Sequence, residues 1–320
     1  MLDQKGLNEY SPGDEITLFL IVNKYEVKTA KNGKAYINLE LRDKSLVISA
    51  KIWDNVEKYI DKIKAGAVVK VAGLIEEFNG SPQLKIAKLR LADLNDNVKT
   101  EDFLPHSNRP LTVMINELNE IINSVGNPFL NKLIKIILST DNLEKYIKAP
   151  AGKGWHHAYI HGLLEHTLEI IKICDLMYSF HPVINRDLLI CGALLHDFGK
   201  TEELTFDSVF DYSDKGKLIG HIMISAFEIE KTASSIPDFP VELKNQLIHI
   251  VLSHQGKLEF ASPVEPKTLE AIVLYQADEL SAKSNAYKYA IAADKNKEGN
   301  WTRFLPLANT SLYTKRDISE

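Results

Sequence analysis

The chain of 320 residues is long enough for two domains of ordinary size, each with a hydrophobic core of its own. Hydrophobic residues make up 45% and charged residues 25%, which excludes a disordered or fibrous protein. The net charge of −5 is unevenly shared, because the first 100 residues hold 16 Lys and Arg against 14 Asp and Glu, and the remainder holds 22 against 29. A general nucleic-acid coat is therefore not expected, although acidic clusters can bind divalent cations.

Targeting and redox features are few. No stretch approaches the ~20 apolar residues that span a bilayer, and the first segment, MLDQKGLNEYSPGDE, lacks the apolar core of a signal peptide. Cys174 and Cys191 both lie in apolar helical patterns, so we expect buried thiols instead of a disulfide framework. These features predict a cytoplasmic protein.

The first third of the chain has the pattern of successive strands. Five β segments are predicted, at residues 15–27, 34–41, 46–54, 67–78 and 82–93. The segment NVEKYIDKIKAG, between the third and fourth strands, has a helical pattern that ends at Gly66. Five strands with a helix between the third and the fourth are typical of the Greek-key barrel called the OB-fold. We therefore predict an all-β OB-fold domain over residues 1–95.

The rest of the chain is helical in pattern. The segment LNDNVKTEDFLPHSNRP is polar and contains prolines, which predicts a linker at residues 96–110. Helical periodicities follow at residues 111–125, 128–139, 159–180, 186–198, 220–235, 240–254 and 266–293. We therefore predict a multidomain protein in which an all-β barrel is followed by an all-α domain over residues 111–320.

Three polar residues lie on the apolar faces of predicted helices. His166 and His254 each share the apolar stripe of their helix, so both imidazoles are expected to face inward. Asp278 also points into the bundle, where an unpaired carboxylate would be costly, so a positive group is expected beside it. Each of these residues alone is more often an ordinary core residue or a helix cap.

Further polar residues lie at helix ends. In the segment LLHDFGK the pair His196-Asp197 ends a helix and Gly199 is expected to turn the chain, whereas His221 opens a helix after Gly220. Metal sites in helical bundles are built from inward ligands on several helices. Imidazole and carboxylate groups without cysteine favour a divalent ion such as manganese, iron, nickel or zinc over a structural zinc finger.

The segments HGLLEHT, LLHDFGK, GHI, LSHQG and YQADELSAK carry the order H…HD…H…H…D. This order resembles that of the HD superfamily of metal-dependent phosphohydrolases. An OB-fold placed before such a domain looks like the YhaM type of bacterial 3′-5′ exoribonuclease, and the resemblance covers nearly the whole chain. His161 departs from it, because a small residue such as glycine is expected there. Three alternatives are open for His161: no role, a packing change, or an extra polar contact at the site.

The resemblance implies a set of ligands for two divalent ions. One ion would be held by His166, His196, Asp197 and Asp278, and a second by His221 and His254 with Asp197 shared. A carboxylate can bridge two ions about 3.5–4 Å apart. Manganese is the ion most expected, with iron, cobalt, nickel, zinc or magnesium as alternatives.

Two residues beside this set are candidate catalytic groups together with Asp197. The resemblance implies that Lys200 contacts a substrate phosphate as a point charge, and the alternative is a solvated cation near a helix end. His157 is expected at the mouth of the site, as a proton donor to the leaving 3′ oxygen or as a phosphate contact. Packing in a loop is the commoner role for such a histidine.

Strand alternation places a candidate nucleic-acid-binding face on the barrel. Tyr36 faces outward on the second strand, and Lys51 and Trp53 face outward on the third. These two strands are the usual oligonucleotide surface of an OB-fold, where aromatic rings stack on bases. The alternative is that the two rings pack on the helical domain.

Together these features predict a metal-dependent 3′-5′ exoribonuclease that releases nucleoside 5′-monophosphates from single-stranded RNA, with single-stranded DNA as a second candidate substrate. One alternative is an HD phosphohydrolase or phosphodiesterase that acts on free nucleotides or cyclic dinucleotides. An alternative of another class is a non-catalytic nucleic-acid-binding protein, which the full set of matched ligands disfavours. Assembly into a homo-oligomer is a further expectation.

Overall fold

The computed structural model describes residues 4–78, 81–294, 299–306 and 308–315. Among them, the contacts between Cα atoms divide the chain into two compact units. The first unit is Met1–His106 with Thr205–Asp211, and the second is Ser107–Leu204 with Tyr212–Glu320. Within the described ranges, no helix is long and apolar enough to cross a membrane.

The first unit is a closed barrel of five strands in the order β1-β2-β3-β5-β4. The strands are β1 (Glu15–Thr29), β2 (Ala35–Arg42), β3 (Val47–Ile52), β4 (Val68–Phe78) and β5 (Ser81–Leu91). β3 and β5 pair in parallel to close the barrel, and the other neighbouring strands are antiparallel. The predicted OB-fold is confirmed, with each strand within two residues of its predicted limits.

Alternation along the strands separates the barrel core from its outer face. In β2 the side chains of Ile37, Leu39 and Leu41 are fully buried, while Tyr36 on the same strand is only partly covered. Burying a Leu or Ile side chain stabilises a fold by about 1.5–3 kcal/mol, so a slip of one residue in the register would remove several such contributions. The outward direction of the candidate binding residues is therefore set by the core.

The segment between β3 and β4 differs from its prediction. Instead of a helix ending at Gly66, it forms a single 3-10 turn, Val56–Lys58, followed by hydrogen-bonded turns. Gly66 donates its N–H to the carbonyl of Val22, and Ala67 accepts a hydrogen bond from the N–H of Val22. Since the end of the segment is bonded to β1, the chain cannot continue as a regular helix there. The left-handed φ of +86° at Gly66 makes this return possible.

The second unit is helical. Its helices are α1 (Leu111–Ser124), α2 (Pro128–Ile137), α3 (Thr140–Lys148), α4 (Gly162–Phe180), α5 (Arg186–Leu195), α6 (Lys200–Glu203), α7 (Asp214–Ile219), α8 (His221–Ser235), α9 (Val241–Ser253) and α10 (Leu269–Asp294). All seven predicted helices are present, whereas the short helices α3, α6 and α7 were not predicted. Two short strands, Leu204–Thr205 and Asp211–Tyr212, pair with each other.

The start of α4 and the end of α5 differ from their predicted positions, and both differences lie next to the site. α4 begins at Gly162 and not at residue 159, because His157 and His161 have left-handed φ values of 43° and 68°. α5 ends at Leu195, and a turn separates it from α6. The chain before α4 and the chain after α5 are thus tight irregular segments. α4 packs against both α5 and α10, and α9 packs against α5, α8 and α10, so these helices surround one buried polar region.

Candidate metal centre

The carboxylate of Asp197 is buried in the helical unit with four imidazoles around it. Its Oδ2 atom lies 3.3 Å from Nε2 of His196 and 3.8 Å from Nε2 of His166. Its Oδ1 atom lies 3.4 Å from Nε2 of His221 and 3.7 Å from Nε2 of His254. The two carboxylate oxygens therefore face two different pairs of histidines.

Asp278 lies beside the first of these pairs. Its Oδ1 atom lies 3.0 Å from Nε2 of His166, so an imidazole is the group that meets this inward carboxylate. Asp278 projects from α10 and His166 from α4. The structure thus brings together all six residues of the predicted ligand set, from the helices α4, α8 and α10 and from the turns that follow α5 and α9.

The backbone orients two of the imidazoles. Nδ1 of His196 lies 2.8 Å from the carbonyl oxygen of Ala193. Nδ1 of His254 lies 2.7 Å from the carbonyl oxygen of Val251. An Nδ1–H group that donates to a carbonyl leaves the lone pair on Nε2. Both rings therefore present a metal-binding nitrogen towards Asp197.

Side chains orient the other two imidazoles. Nδ1 of His221 lies 2.9 Å from Oε1 of Glu203, which also accepts the backbone N–H of His221. Nδ1 of His166 lies 3.0 Å from the hydroxyl of Ser281, and that hydroxyl donates to Glu169 over 2.8 Å. Partners of this kind fix the ring orientation and the tautomer of a metal-binding histidine.

The inward atoms of this cluster fit divalent cations. Nε2 of the four histidines and Oδ1 of Asp197 are buried, and none of them makes a hydrogen bond of acceptable geometry. Buried polar atoms without a partner cost about 1–3 kcal/mol each, and metal coordination would satisfy them. Bonds of about 2.0–2.2 Å place two donors on one ion roughly 3–3.5 Å apart, as is found between Asp197 and both His196 and His221. The His/Asp cluster is therefore able to hold a metal.

Lys200 is buried beside the same carboxylate. Its Nζ atom lies 2.6 Å from Oδ2 of Asp197, so it is not a solvated surface cation. Burial by itself would raise the pKa of the Asp197 carboxyl, but Lys200 and His196 outweigh burial and hold that pKa well below its usual range. Burial lowers the pKa of His254 to about 4, which keeps its imidazole in the neutral form that binds metals.

Gly199 has a different role from the one its position indicates. Its φ of −59° is an ordinary helical value, so no left-handed turn requires glycine here. A Cβ atom at this position would lie 2.2 Å from the carbonyl oxygen of His221. The N–H of Gly199 also donates to the hydroxyl of Ser225, on α8. Glycine is needed because the start of α8 packs directly on the backbone of this turn, which brings His221 to Asp197.

His157 does not lie at the mouth of the site, as the sequence predicts, because its side chain is only 1% exposed. Its backbone N–H donates to Oδ1 of Asn285, and its Nε2 atom lies 3.2 Å from Oε2 of Glu169. The neighbouring His156 lines a cavity of about 280 Å³ that also reaches the metal cluster at Asp278. His156, which is half-buried, is therefore the member of the histidine pair that borders the cavity.

His161 makes its polar contact away from the cluster. Its Nδ1 atom lies 2.8 Å from the carbonyl oxygen of Ile147, at the end of α3. Its left-handed φ of 68° explains why a small residue such as glycine is expected at this position. The chain keeps the strained conformation and gains a side-chain bond to a neighbouring helix.

The three candidate residues on the barrel lie together. The rings of Tyr36 and Trp53 are stacked, with centroids 4.4 Å apart and planes at 20°, and Trp53 is 51% exposed. Nζ of Lys51 lies 5.5 Å from the ring centre of Phe78, which is also exposed. Lys85, on β5, pairs in register with Lys51 and forms an ion pair with Glu76, with 3.1 Å between Nζ and Oε1. Phe78 and Lys85 are not among the predicted contacts, although both are outward residues of alternating strands.

The side chains that hold the imidazoles of His221 and His166, Glu203 and Ser281, are not among the predicted site residues. Glu203 shows no pattern of its own, but its spacing from the HD pair on a short helix could have suggested a supporting carboxylate.

We expect Glu203→Gln to weaken binding of manganese about 10- to 100-fold, because the amide holds His221 less strongly than a carboxylate. Titration calorimetry measures this loss. Glu202→Gln is the matched control, since the adjacent carboxylate is paired with Lys215 at the surface, and an equal loss in both variants would contradict the assignment.

Comparison with known families identifies both units. Residues 163–283 match the family model of the HD domain, and residues 21–92 match the model of an OB-fold nucleic acid binding domain. The first range contains all six residues of the cluster, and the second contains the outer face of Tyr36 and Trp53. The fold and the centre therefore define an HD-domain hydrolase that carries an OB-fold.

Whole-chain relatives narrow this class. The protein named 3′-5′ exoribonuclease YhaM from Geobacillus sp. (strain WCH70) is 35% identical over 310 residues, which cover 97% of this chain and 94% of the relative. The protein of the same name from Bacillus subtilis (strain 168) is 31% identical over 312 residues, which cover 97% of this chain and 98% of the relative. The Bacillus licheniformis protein of that name is 34% identical over 314 residues, with coverage of 97% and 98%. The chain belongs to the YhaM family of 3′-5′ exoribonucleases. A solved domain of replication protein A from Methanococcus maripaludis is 17% identical and covers 28% of this chain and 94% of its own, with a TM-score of 0.25.

Proposed function

We propose that this chain is a metal-dependent exonuclease that hydrolyses single-stranded RNA from its 3′ end and releases nucleoside 5′-monophosphates. One observation carries the proposal: a single carboxylate, that of Asp197, divides its two oxygens between two pairs of histidines whose buried Nε2 atoms make no hydrogen bond. Such a centre suits phosphodiester hydrolysis. The names of the relatives supply the direction and the substrate class.

We propose that the centre holds two divalent ions, most readily manganese. His166, His196, Asp197 and Asp278 would hold one ion, and His221 and His254 would hold the other with Asp197 shared. When bound, such ions supply Lewis-acid activation of water and neutralise charge on the phosphate oxygens. Imidazole nitrogen with carboxylate oxygen is a donor set that manganese, iron, cobalt, nickel and zinc all accept, and magnesium accepts less readily.

The chain's own residues have distinct parts in this scheme. Asp197 fixes the spacing of the two ligand groups, and Lys200, which also lines the cavity, is placed to donate hydrogen bonds to a substrate phosphate. His157 is too deeply buried to donate a proton to the leaving 3′ oxygen, so we assign it to the support of Glu169 and His166. His156, which lines the cavity, is the histidine placed to reach the substrate.

Product analysis on end-labelled RNA tests this function. With a 3′ label, the first product is expected to be a labelled nucleoside 5′-monophosphate, and with a 5′ label a ladder should shorten from the full length. Manganese, magnesium and zinc are compared, and a DNA strand of the same sequence tests the second candidate substrate. Hydrolysis of free nucleotides or cyclic dinucleotides, with single-stranded RNA of ten or more bases left intact, would overturn the proposal.

We further propose that residues 1–95 form the RNA-binding domain, that 96–110 are the linker and that 111–320 are the catalytic domain. On the barrel, Tyr36, Lys51 and Trp53 are the proposed contacts, since exposed stacked rings beside two lysines suit bases and phosphates. A cytoplasmic setting is also proposed, which the two buried free cysteines support. Assembly into a homo-oligomer stays a prediction.

Removal of the Trp53 ring tests whether the barrel contributes to RNA binding without contributing to hydrolysis. We expect Trp53→Ala to weaken binding of a long single-stranded RNA about 5- to 100-fold, the loss that follows removal of one stacking ring, and to leave cleavage of a dinucleotide unchanged. Fluorescence anisotropy measures the binding. Trp53→Phe, which keeps a ring, should retain most of the affinity, and Trp301→Ala removes an equally exposed tryptophan of the other unit as a control. Equal losses on both substrates would indicate a folding defect instead.

A further inference from the structure

The cavity beside the metal centre has a mixed lining that the chemistry of the centre does not require. Its volume is about 280 Å³. It is lined by three groups of the centre, Lys200, His254 and Asp278, and by three aromatic side chains, Trp155, Phe260 and Tyr275. The first three groups suit hydrolysis of a phosphodiester, whereas the aromatic rings offer flat and largely apolar faces. The rings therefore point to recognition of another part of the substrate.

Two of these rings are unusually open to solvent. Phe260 is 48% exposed and Trp155 is 38% exposed, although neither packs into a core of its own unit. Trp155 makes one edge contact, to the ring of Tyr287, with centroids 6.2 Å apart. Large aromatic side chains kept on the surface around a polar centre mark a binding site more often than a structural one. Every nucleic-acid base offers a flat face to such rings.

The loop that carries Phe260 is held in place. Phe260 ends a short 3-10 turn, and the buried hydroxyl of Ser262 lies 3.0 Å and 2.8 Å from the carbonyl oxygens of Leu252 and Val264. A Cβ atom on Gly256 would lie 2.2 Å from the ring of Tyr275, so the backbone of the loop packs directly on that ring. The exposed ring is therefore presented from a fixed backbone, which lowers the entropy lost on binding.

The same loop joins the ring to the metal centre. His254 is the last residue before the loop and Asp278 lies one helical turn beyond Tyr275 on α10. A phosphodiester at the centre would place the nucleotide on its 3′ side within reach of the cavity. With about 280 Å³ the cavity lies near the lower end of the range of about 300–1,000 Å³ typical of ligand pockets, which matches a ligand the size of one nucleotide.

We propose that this cavity binds the base and ribose of the 3′-terminal nucleotide, with Trp155 and Phe260 as the rings against which the base packs. The inference rests on the proposed exonuclease function and adds to it the subsite that selects a strand end. Stacking tolerates every base, so removal of successive nucleotides would not depend on sequence. A pocket of the size of one nucleotide also explains why each round of cleavage would release a single nucleoside monophosphate.

An RNA oligomer and a second oligomer whose 3′-terminal nucleotide is abasic test this subsite. We expect Phe260→Ala and Trp155→Ala each to raise the KM for the first oligomer about tenfold. On the abasic oligomer the variants should match the wild-type protein, because the ring has no base to contact. Phe260→Trp, which keeps a ring, should restore the lower KM. Phe227→Ala removes an exposed ring on α8 that lies outside the cavity, and it should behave as the wild-type protein does.

Hydrolysis of bis(p-nitrophenyl) phosphate with manganese, and the melting temperature, show that each variant is folded and keeps its metal centre. A KM penalty for Phe260→Ala that is the same on both oligomers, or no penalty on either, would overturn the inference. If the wild-type protein degrades RNA from the 3′ end while both ring variants keep its KM, only this subsite fails. If the wild-type protein leaves RNA intact and hydrolyses only the small ester, the proposed function itself fails and the subsite with it.

Discussion

Asp197→Ala is expected to abolish hydrolysis of RNA, with a loss of about 10³-fold or more, while RNA still binds to the barrel. The reason is geometric: Asp197 faces both pairs of histidines, through Oδ2 on one side and Oδ1 on the other. Its removal takes a donor from both ligand groups at once. Cleavage of labelled RNA and the metal content of the purified variant measure the two consequences.

The controls for Asp197→Ala must address folding. Removal of the carboxylate leaves Lys200 buried without its partner, which can cost about 3–5 kcal/mol. The double variant Asp197→Ala with Lys200→Met removes both charges, and we expect it to be as inactive as the single variant but more stable. Asp141→Ala, at an exposed carboxylate on α3, should keep full activity. Retained hydrolysis in a folded Asp197→Ala protein would contradict the two-ion arrangement.

Removal of divalent ions is expected to stop hydrolysis and also to destabilise the helical unit. Four buried Nε2 atoms and Oδ1 of Asp197 make no hydrogen bond, so the loss of ions would leave them without coordination. An ion present at 100 times its dissociation constant stabilises the folded state by about 2.7 kcal/mol, so the melting temperature of this unit should fall by about 5–10 °C on chelation. Differential scanning calorimetry measures this shift, and added manganese should reverse it.

Two comparisons make the chelation result specific. The melting temperature of Asp197→Ala should respond little to the chelator, because that variant has lost the shared donor. RNA binding by the barrel should also be unchanged, since Tyr36, Lys51 and Trp53 belong to the other unit. A wild-type melting temperature that is insensitive to both the chelator and manganese would show that the histidine cluster binds no ion, and a non-catalytic binding protein would then be the leading interpretation.

Local patterns were enough for much of the architecture. Alternation in β2 predicted both the buried face of Ile37 and Leu39 and the outward direction of Tyr36, since a strand's side-chain period is independent of its partners. The inward direction of His166 and Asp278 followed in the same way from helical periodicity. The 3-10 turn before Gly66 was mistaken for a helix, because its apolar spacing is helical and only the hydrogen bonds to Val22 prevent one.

Contacts between distant parts of the chain were beyond local patterns. The adjacent residues His156 and His157 look equivalent in the sequence, yet packing against Asn285 and Glu169 buries one ring and leaves the other on the cavity. Lys200 could equally have been a surface cation, and its burial against Asp197 depends on how α6 packs. The predicted reason for Gly199, a turn of the chain, was wrong, because the close approach that requires glycine involves His221, a residue 22 positions later.

By itself, the sequence determined the two fold classes and the identity of the residues that converge, because periodicity and residue chemistry are local properties. Only the tertiary structure decided which oxygen of Asp197 faces which histidines, which second ring nitrogen is held by Glu203 or Ser281, and where aromatic rings border the centre. The physical reason is that these distances are set by the packing of α4, α5, α8, α9 and α10 on one another. A ligand atom misplaced by one ångström would no longer fit an ion, and no local pattern carries that precision.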